Sequence, residues 1–236
     1  STSGHTFQAT YKYIKELKVC EHTTNLEAKT YPKTLKSYDR PSQYIQLVDC
    51  TWKIIAKDDH VIRFTVSQLD IGGCSSCGFL QIFDGQTEWI GTNLGKWRSG
   101  NPDMISTGKY MTVKFKTTKF DTSNGLIAQY QAIPKTTICS TLTNDQGVLE
   151  SYNYPFSYPG NINCFWKLEA PPNYLVRFYA DDLRLISPNC EERCNLLAVY
   201  DGPSIIDTKL GTYKENEVSL VSSSSHLAVV LKTYKE

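Results

Sequence analysis

Ile62, Phe64 and Val66 alternate with Arg63 and Thr65, and Met111, Val113 and Phe115 alternate with Thr112, Lys114 and Lys116. Val176, Phe178 and Ala180 do the same around Arg177 and Tyr179. A period of two sends one set of side chains into a core and the other away from it, so these segments are predicted to be half-buried β-strands. Turn clusters at 70–73, 98–102, 170–173 and 222–225 separate runs of this kind, giving the short-strand rhythm of a sandwich. No long stretch keeps a helical period. Residues 11–18 read as one helical turn or a basic edge strand, the strand being preferred.

The pattern occurs twice. Cys20 recurs as Cys139, Cys50-Thr51-Trp52 as Cys164-Phe165-Trp166, and Phe83-Asp84-Gly85 as Tyr200-Asp201-Gly202. Ile90-Gly91-Thr92 recurs as Leu210-Gly211-Thr212, and residues 111–117 recur as 227–233, all at offsets of 114 to 120 positions. A unit this long is a whole domain rather than a solenoid repeat. The expected division is 1–133, with an extension at 1–19, and 134–236. The boundary falls between Tyr130 and Cys139, where Pro134 follows the last strand of copy one. So short a connection predicts two copies packed at a restricted angle.

Composition narrows the class. Twenty-five basic residues against 24 acidic give a net charge of +1, which provides no field to gather nucleic acid or an anionic membrane. Eight cysteines, 15 tyrosines and two methionines fit a secreted or cell-surface protein, because thiols at this density persist as disulfides in an oxidising compartment. No segment approaches the roughly 20 apolar residues that a bilayer requires. No signal peptide stands at Ser1, and one removed or lying outside the sequence is expected. No asparagine begins a glycosylation sequon.

In its order of landmarks the second copy resembles the CUB domain. It carries residues 147–155 ending in Tyr154-Pro155, then Tyr158-Pro159-Gly160-Asn161, Cys164-Phe165-Trp166, Tyr200-Asp201-Gly202 and Leu210-Gly211. The first keeps Tyr31-Pro32, Cys50-Thr51-Trp52, Phe83-Asp84-Gly85 and a closing strand at 125–130. The resemblance implies an all-β chain of two tandem jelly-roll-like β-sandwich domains, CUB-like, disulfide-stapled and of a divergent, invertebrate type. Copy one has 18 positions from Pro32 to Cys50 where copy two has nine from Pro155 to Cys164, so its first loop is an insertion and a candidate contact surface. Copy two stops soon after Thr233 without the family's closing strand. That predicts an open sheet edge and a natural chain that continues beyond Glu236.

Both remaining cysteines of each copy precede the Asp-Gly turn, which departs from the family. Set against the family's pattern, this implies bridges Cys20 to Cys50, Cys74 to Cys77, Cys139 to Cys164 and Cys190 to Cys194. Cys74 and Cys77 have redox spacing, but the strand 79–83 follows them instead of the helix that would lower a thiol pKa, so a structural bridge is expected. A zinc site is disfavoured because each pair has its partner adjacent. His5, His22, His60 and His226 fall in no catalytic motif and are expected at the surface. The chain is therefore expected not to be an enzyme and to need no cofactor.

Many CUB domains bind calcium through three acidic side chains. The positions implied here are Asp70, Gly78 and Thr118 in copy one and Arg184, Asn195 and approximately Tyr234 in copy two. One carboxylate of three and none of three predict no family-type metal site. Asp121, Asp181, Asp182, Glu191 and Glu192 read as a solvated acidic rim. Binding is then assigned to loops and exposed aromatics, with Trp89, Trp97, Tyr152, Tyr154, Phe156 and Tyr158 as partner-contact candidates. Tyrosines of a Tyr-Pro turn equally pack on their own domain, and Trp52 and Trp166, beside cysteines, are expected in the cores.

The expected function is extracellular protein binding, as part of an ectodomain of a receptor-associated accessory, clustering or adhesion protein. Its partner would be an extracellular protein or receptor ectodomain, without nucleic acid and without direct membrane insertion. The alternatives are the non-catalytic substrate-recognition region of a secreted metalloprotease or serine protease, and a carbohydrate-binding module.

Overall fold

The computed structural model describes residues 10, 23–37, 48–71, 78–118, 125–139, 147–185 and 194–234. The predicted strand at 11–18, most of the inserted loop after Pro32, and Cys20, Cys74, Cys77, Cys190, Asp121, Glu191 and Glu192 lie outside the described residues.

Copy one contributes β1 (Thr23–Glu27), β2 (Lys33–Lys36), β3 (Asp49–Ile55), β4 (His60–Asp70), β5 (Phe79–Asp84), β6 (Thr92–Trp97), β7 (Asp103–Ile105), β8 (Tyr110–Lys116) and β9 (Gly125–Pro134). They form one sheet in the order β1-β3-β8-β5-β6 and another in the order β2-β9-β4-β7. All described pairings are antiparallel except β1 with β3. The alternating strands deliver their apolar sides between the sheets: Trp52, Ile54, Leu80, Met111, Val113 and Phe115 from one, and Ile62, Phe64, Val66 and Leu126 from the other. Trp52 and Phe115 stack with ring centroids 6.3 Å apart, contributing ring-pair attraction beyond burial alone.

β9 runs straight into a single 3-10 turn at Lys135–Thr137, which leads to Cys139. Copy two then forms β10 (Asn163–Glu169), β11 (Arg177–Ala180), β12 (Leu196–Asp201), β13 (Thr208–Tyr213), β14 (Val218–Val221) and β15 (His226–Lys232). Its sheets are β10-β15-β12-β13 and β11-β14, which repeat β3-β8-β5-β6 and β4-β7 of copy one. Where β4 pairs with both β9 and β7, the described partner of β11 is β14. There is no α-helix among the described residues.

The repeat extends to buried hydroxyls. Thr117 and Thr233, each just past the last strand of its core sheet, make matching reciprocal pairs. The Thr117 N–H donates to Val48 O while its Oγ1 accepts from Val48 N, and Thr233 does the same with Ile162. Ser106 and Ser222 repeat the device on Ile62 and Val176. Each hydroxyl satisfies a backbone N–H that would otherwise be orphaned next to the core. Thr233→Val keeps the shape but strands Ile162 N and the Pro159 carbonyl that the hydroxyl serves. The expected loss is about 1–3 kcal/mol, measured as a lower urea midpoint at unchanged slope.

Candidate functional site

Period-two alternation in β4 turns Val61 and Arg63 to the face opposite Ile62 and Phe64. That face is not open to water, because copy two packs on it. Val61, Ile105 and Ile133 of copy one are buried in one apolar cluster with Ile162, Trp166 and Leu231 of copy two. Strand register makes them neighbours, since Val61 pairs with Ile133 and Arg63 with Ile105.

Polar contacts fix this junction. Gly160 N donates to Asp103 O at 2.9 Å and Ile105 N donates to Gly160 O at 3.1 Å, so the segment before β10 runs as a parallel bridge beside β7. Asn161 Nδ2 donates to Ile105 O at 2.8 Å and to Asp84 Oδ2 at 3.1 Å. Arg63 grips Asp103 through Nε and Nη2 at 3.0 and 2.5 Å, Thr65 Oγ1 donates to the same carboxylate, and the guanidinium lies 5.7 Å from the Tyr152 ring centroid. The hydrogen bond to Asp103 raises the Arg63 pKa above its ordinary value, so the charge is permanent.

The Tyr158-Pro159-Gly160-Asn161 motif acquires a local explanation. Asn161 takes φ +68°, the left-handed region that asparagine enters more readily than other side chains, and this turns the chain from the junction into β10. Gly160 is needed because a Cβ there would sit 2.7 Å from Tyr234 O and 2.9 Å from Met104 Sδ.

The six aromatic contact candidates separate. Trp89 is 87% exposed on the turn between β5 and β6, and Phe156 is 73% exposed. Tyr154 is exposed with its hydroxyl donating to Asp182 Oδ2, a bond that raises the phenol pKa. Tyr152 is partly buried under Arg63. Trp97 packs on the first core, and Tyr158 on the second. These last two nevertheless meet across the junction as walls of one cleft. Sequence reasoning missed the aliphatic counterparts of Trp89. Ile90 is exposed beside it, and Ile205 and Ile206 are exposed on the equivalent turn of copy two, Ile206 at 89%. The available signal was their place directly after an Asp-Gly turn, between strands that already fill the core.

The calcium positions do not suit the ion. In copy one Asp70 ends β4, paired with Gly125 and bridged to Ser99. At Gly78 a Cβ would lie 1.8 Å from Lys116 O, which leaves no room for a carboxylate. In copy two Asn195 is fully buried and committed to protein: Oδ1 accepts from Tyr234 N at 2.7 Å, and Nδ2 donates to the Tyr158 hydroxyl at 3.2 Å. The Tyr158 hydroxyl donates in turn to Arg184 O, while the Arg184 side chain pairs with Asp182. A neutral amide network stands where hard anionic oxygens would be required. Among the described residues no three metal-ligating side chains cluster.

The Cys139–Cys164 disulfide ties the start of copy two to β10. Cys50 and Cys194 are disulfide-bonded as well, and no described cysteine is free. The expectation of surface histidines fails at His60. It is buried at the start of β4, opposite Pro134 of β9, with Nδ1 3.0 Å from Asp58 O. His226 is half-buried beside Glu169.

These features define a tandem pair of disulfide-bonded β-sandwich modules. The family model described as the CUB domain matches residues 20–130 and 139–236, and the chain belongs to the CUB domain family. CUB domains are extracellular modules of protein interaction in cubilin-like proteins. The chain is 24% identical to human cubilin over 240 residues, covering 99% of this chain and 6% of cubilin. It is 27% identical to the Drosophila melanogaster cubilin homolog over 207 residues, covering 83% and 5%. It thus spans a small part of those relatives. The solved CUB1-EGF-CUB2 domains of rat MASP-1 align with a TM-score of 0.40 at 12% identity, over 91% of this chain and 96% of that one. Among the described residues no helix is long and apolar enough to cross a membrane.

Proposed function

We propose that units 1–133 and 134–236 act together as one extracellular docking platform that captures a protein partner through apolar side chains on its turns. The platform would serve in the ectodomain of a receptor-associated accessory, clustering or adhesion protein. The observation that carries the reading is the exposure of Trp89 and Ile90 in copy one, and of Ile205 and Ile206 at the equivalent turn of copy two, while the other tryptophans pack. Large apolar side chains held out on firm turns are the usual anchors of protein interfaces. Two of the loops concerned are joined at the junction, since Asp84, which opens the Trp89 turn, bonds to Asn161, which closes the segment bearing Phe156. The junction thereby presets the positions of Trp89 and Phe156 before a partner arrives, which reduces the ordering cost of binding.

The test is capture of extracellular protein ligands by the intact chain, compared with the triple variant Trp89→Ala, Phe156→Ala, Ile206→Ala. Loss of anchors at this level of exposure is expected to weaken binding by about 10-fold or more, with the unfolding midpoint unchanged and with no effect of chelator. Binding that survives the triple variant intact would sink the proposal.

A further inference from the structure

A cleft of about 320 Å³ opens where the two copies meet. Copy one supplies Trp97, Asn101 and Pro102 to its walls, and copy two supplies Ser157, Tyr158 and Tyr234. A volume at the lower end of the range for ligand sites suits one or two small rings, and junctions between domains are where such sites concentrate.

The lining restricts the chemistry of the occupant. Among the described residues its one charged lining residue, Asp103, is neutralised by two hydrogen bonds from Arg63 and a third from Thr65, so the described lining offers no free charge with which to select an anion or a cation. The Tyr158 hydroxyl is consumed by Asn195 and Arg184 O, leaving that residue to present its ring. Proline-rich peptides also favour aromatic grooves and are the competing occupant that the test below sets against the sugars. At the rim, the side chains of Ser99, Asn101 and Ser157 have no hydrogen bond among the described residues. Each can both donate and accept, which matches a ligand whose own groups are hydroxyls.

We propose that this cleft is a binding site for a neutral saccharide of one or two pyranose rings. The apolar C–H face of the sugar packs on the rings of Trp97, Tyr158 and Tyr234, and its hydroxyls exchange hydrogen bonds with Ser99, Asn101 and Ser157. The site adjoins the Phe156 segment through Ser157, but the docking anchors Trp89, Phe156 and Ile206 do not line it.

The intact chain, labelled with nitrogen-15, is titrated with cellobiose, lactose and N,N′-diacetylchitobiose, and separately with a decaproline peptide. At least one disaccharide is expected to shift the Trp97 indole resonance saturably, and Asn101→Ala and Ser157→Ala are each expected to weaken that binding by about 5-fold, the value of one hydrogen bond. Both residues are exposed, so the variants keep the fold. The Trp89, Phe156, Ile206 triple variant should bind sugar as the parent does, which separates this site from the docking proposal. The inference is overturned if no disaccharide moves Trp97, if both rim variants bind like the parent, or if decaproline binds in place of the sugars.

Discussion

Gly160→Val is expected to split the thermal unfolding of the chain from one calorimetric transition into two and to remove about 3 kcal/mol or more of stability, beyond the usual overpacking cost because backbone hydrogen bonds are lost as well. The residue sits where copy two touches β7. A Cβ would stand 2.7 Å from the backbone oxygen of Tyr234 and 2.9 and 3.0 Å from Sδ and Cε of Met104. The methionine end could yield at some cost, although it is itself buried; the Tyr234 carbonyl cannot yield without moving the chain after β15. Valine adds two further methyl groups. Accommodating them means parting the segment from β7, which breaks the Gly160 bonds to Asp103 and Ile105 and draws Asn161 away from Asp84. With the shared cluster opened, each sandwich should melt on its own. A variant that keeps a single transition at the parental midpoint would refute this description of the junction.

The parts of this architecture that sequence exposed are those with a repeating signature. Period two located β4, β8 and β11 and sorted Phe64, Phe115 and Phe178 inward, and the doubled landmarks revealed two copies. What the pattern could not say is what covers the polar side of a strand. Arg63 reads as a solvent-facing alternate of Ile62 and Phe64, yet it lies between Asp103 and Tyr152 at the junction. A half-buried arginine with a bidentate partner has the same one-dimensional signature as a wet one.

The aromatic segment divides between packed and exposed side chains for a related reason. Tyr152, Tyr154, Phe156 and Tyr158 are close in sequence, but tyrosine serves equally as core filler with a satisfied hydroxyl and as surface anchor. The hydroxyl decides, and its partners Asn195 and Asp182 are 37 and 28 positions away. Ile205 and Ile206 were overlooked because an aliphatic residue is assigned to the core by default. Only a count of inward positions already filled by Leu197 and Val199 on β12 and by Leu227, Val229 and Leu231 on β15 would have shown that no place remained for them.

Ile105→Ala places the larger part of its damage in the copy to which the residue does not belong. Ile105 is in β7 of copy one, but it is 2% exposed and packs in the cluster built around Trp166, Val199 and Val229 of copy two. Truncation of a buried isoleucine costs about 2–5 kcal/mol, the transfer loss plus the cavity left behind. Ile54→Ala is the same chemical change at an equally buried site of the first cluster. Amide hydrogen exchange separates the two, because opening free energies are read strand by strand. Ile105→Ala should accelerate exchange in β10 and β15 while leaving β3 and β8 near parental protection, and Ile54→Ala should do the reverse. If both variants deprotect β3 and β8 alike, the second core is self-sufficient and the outer face of β4, β7 and β9 is only a resting surface for it. If the expected pattern is found, copy two depends for part of its interior on copy one. The pair is then the unit that folds and the unit that presents the exposed turns to a partner.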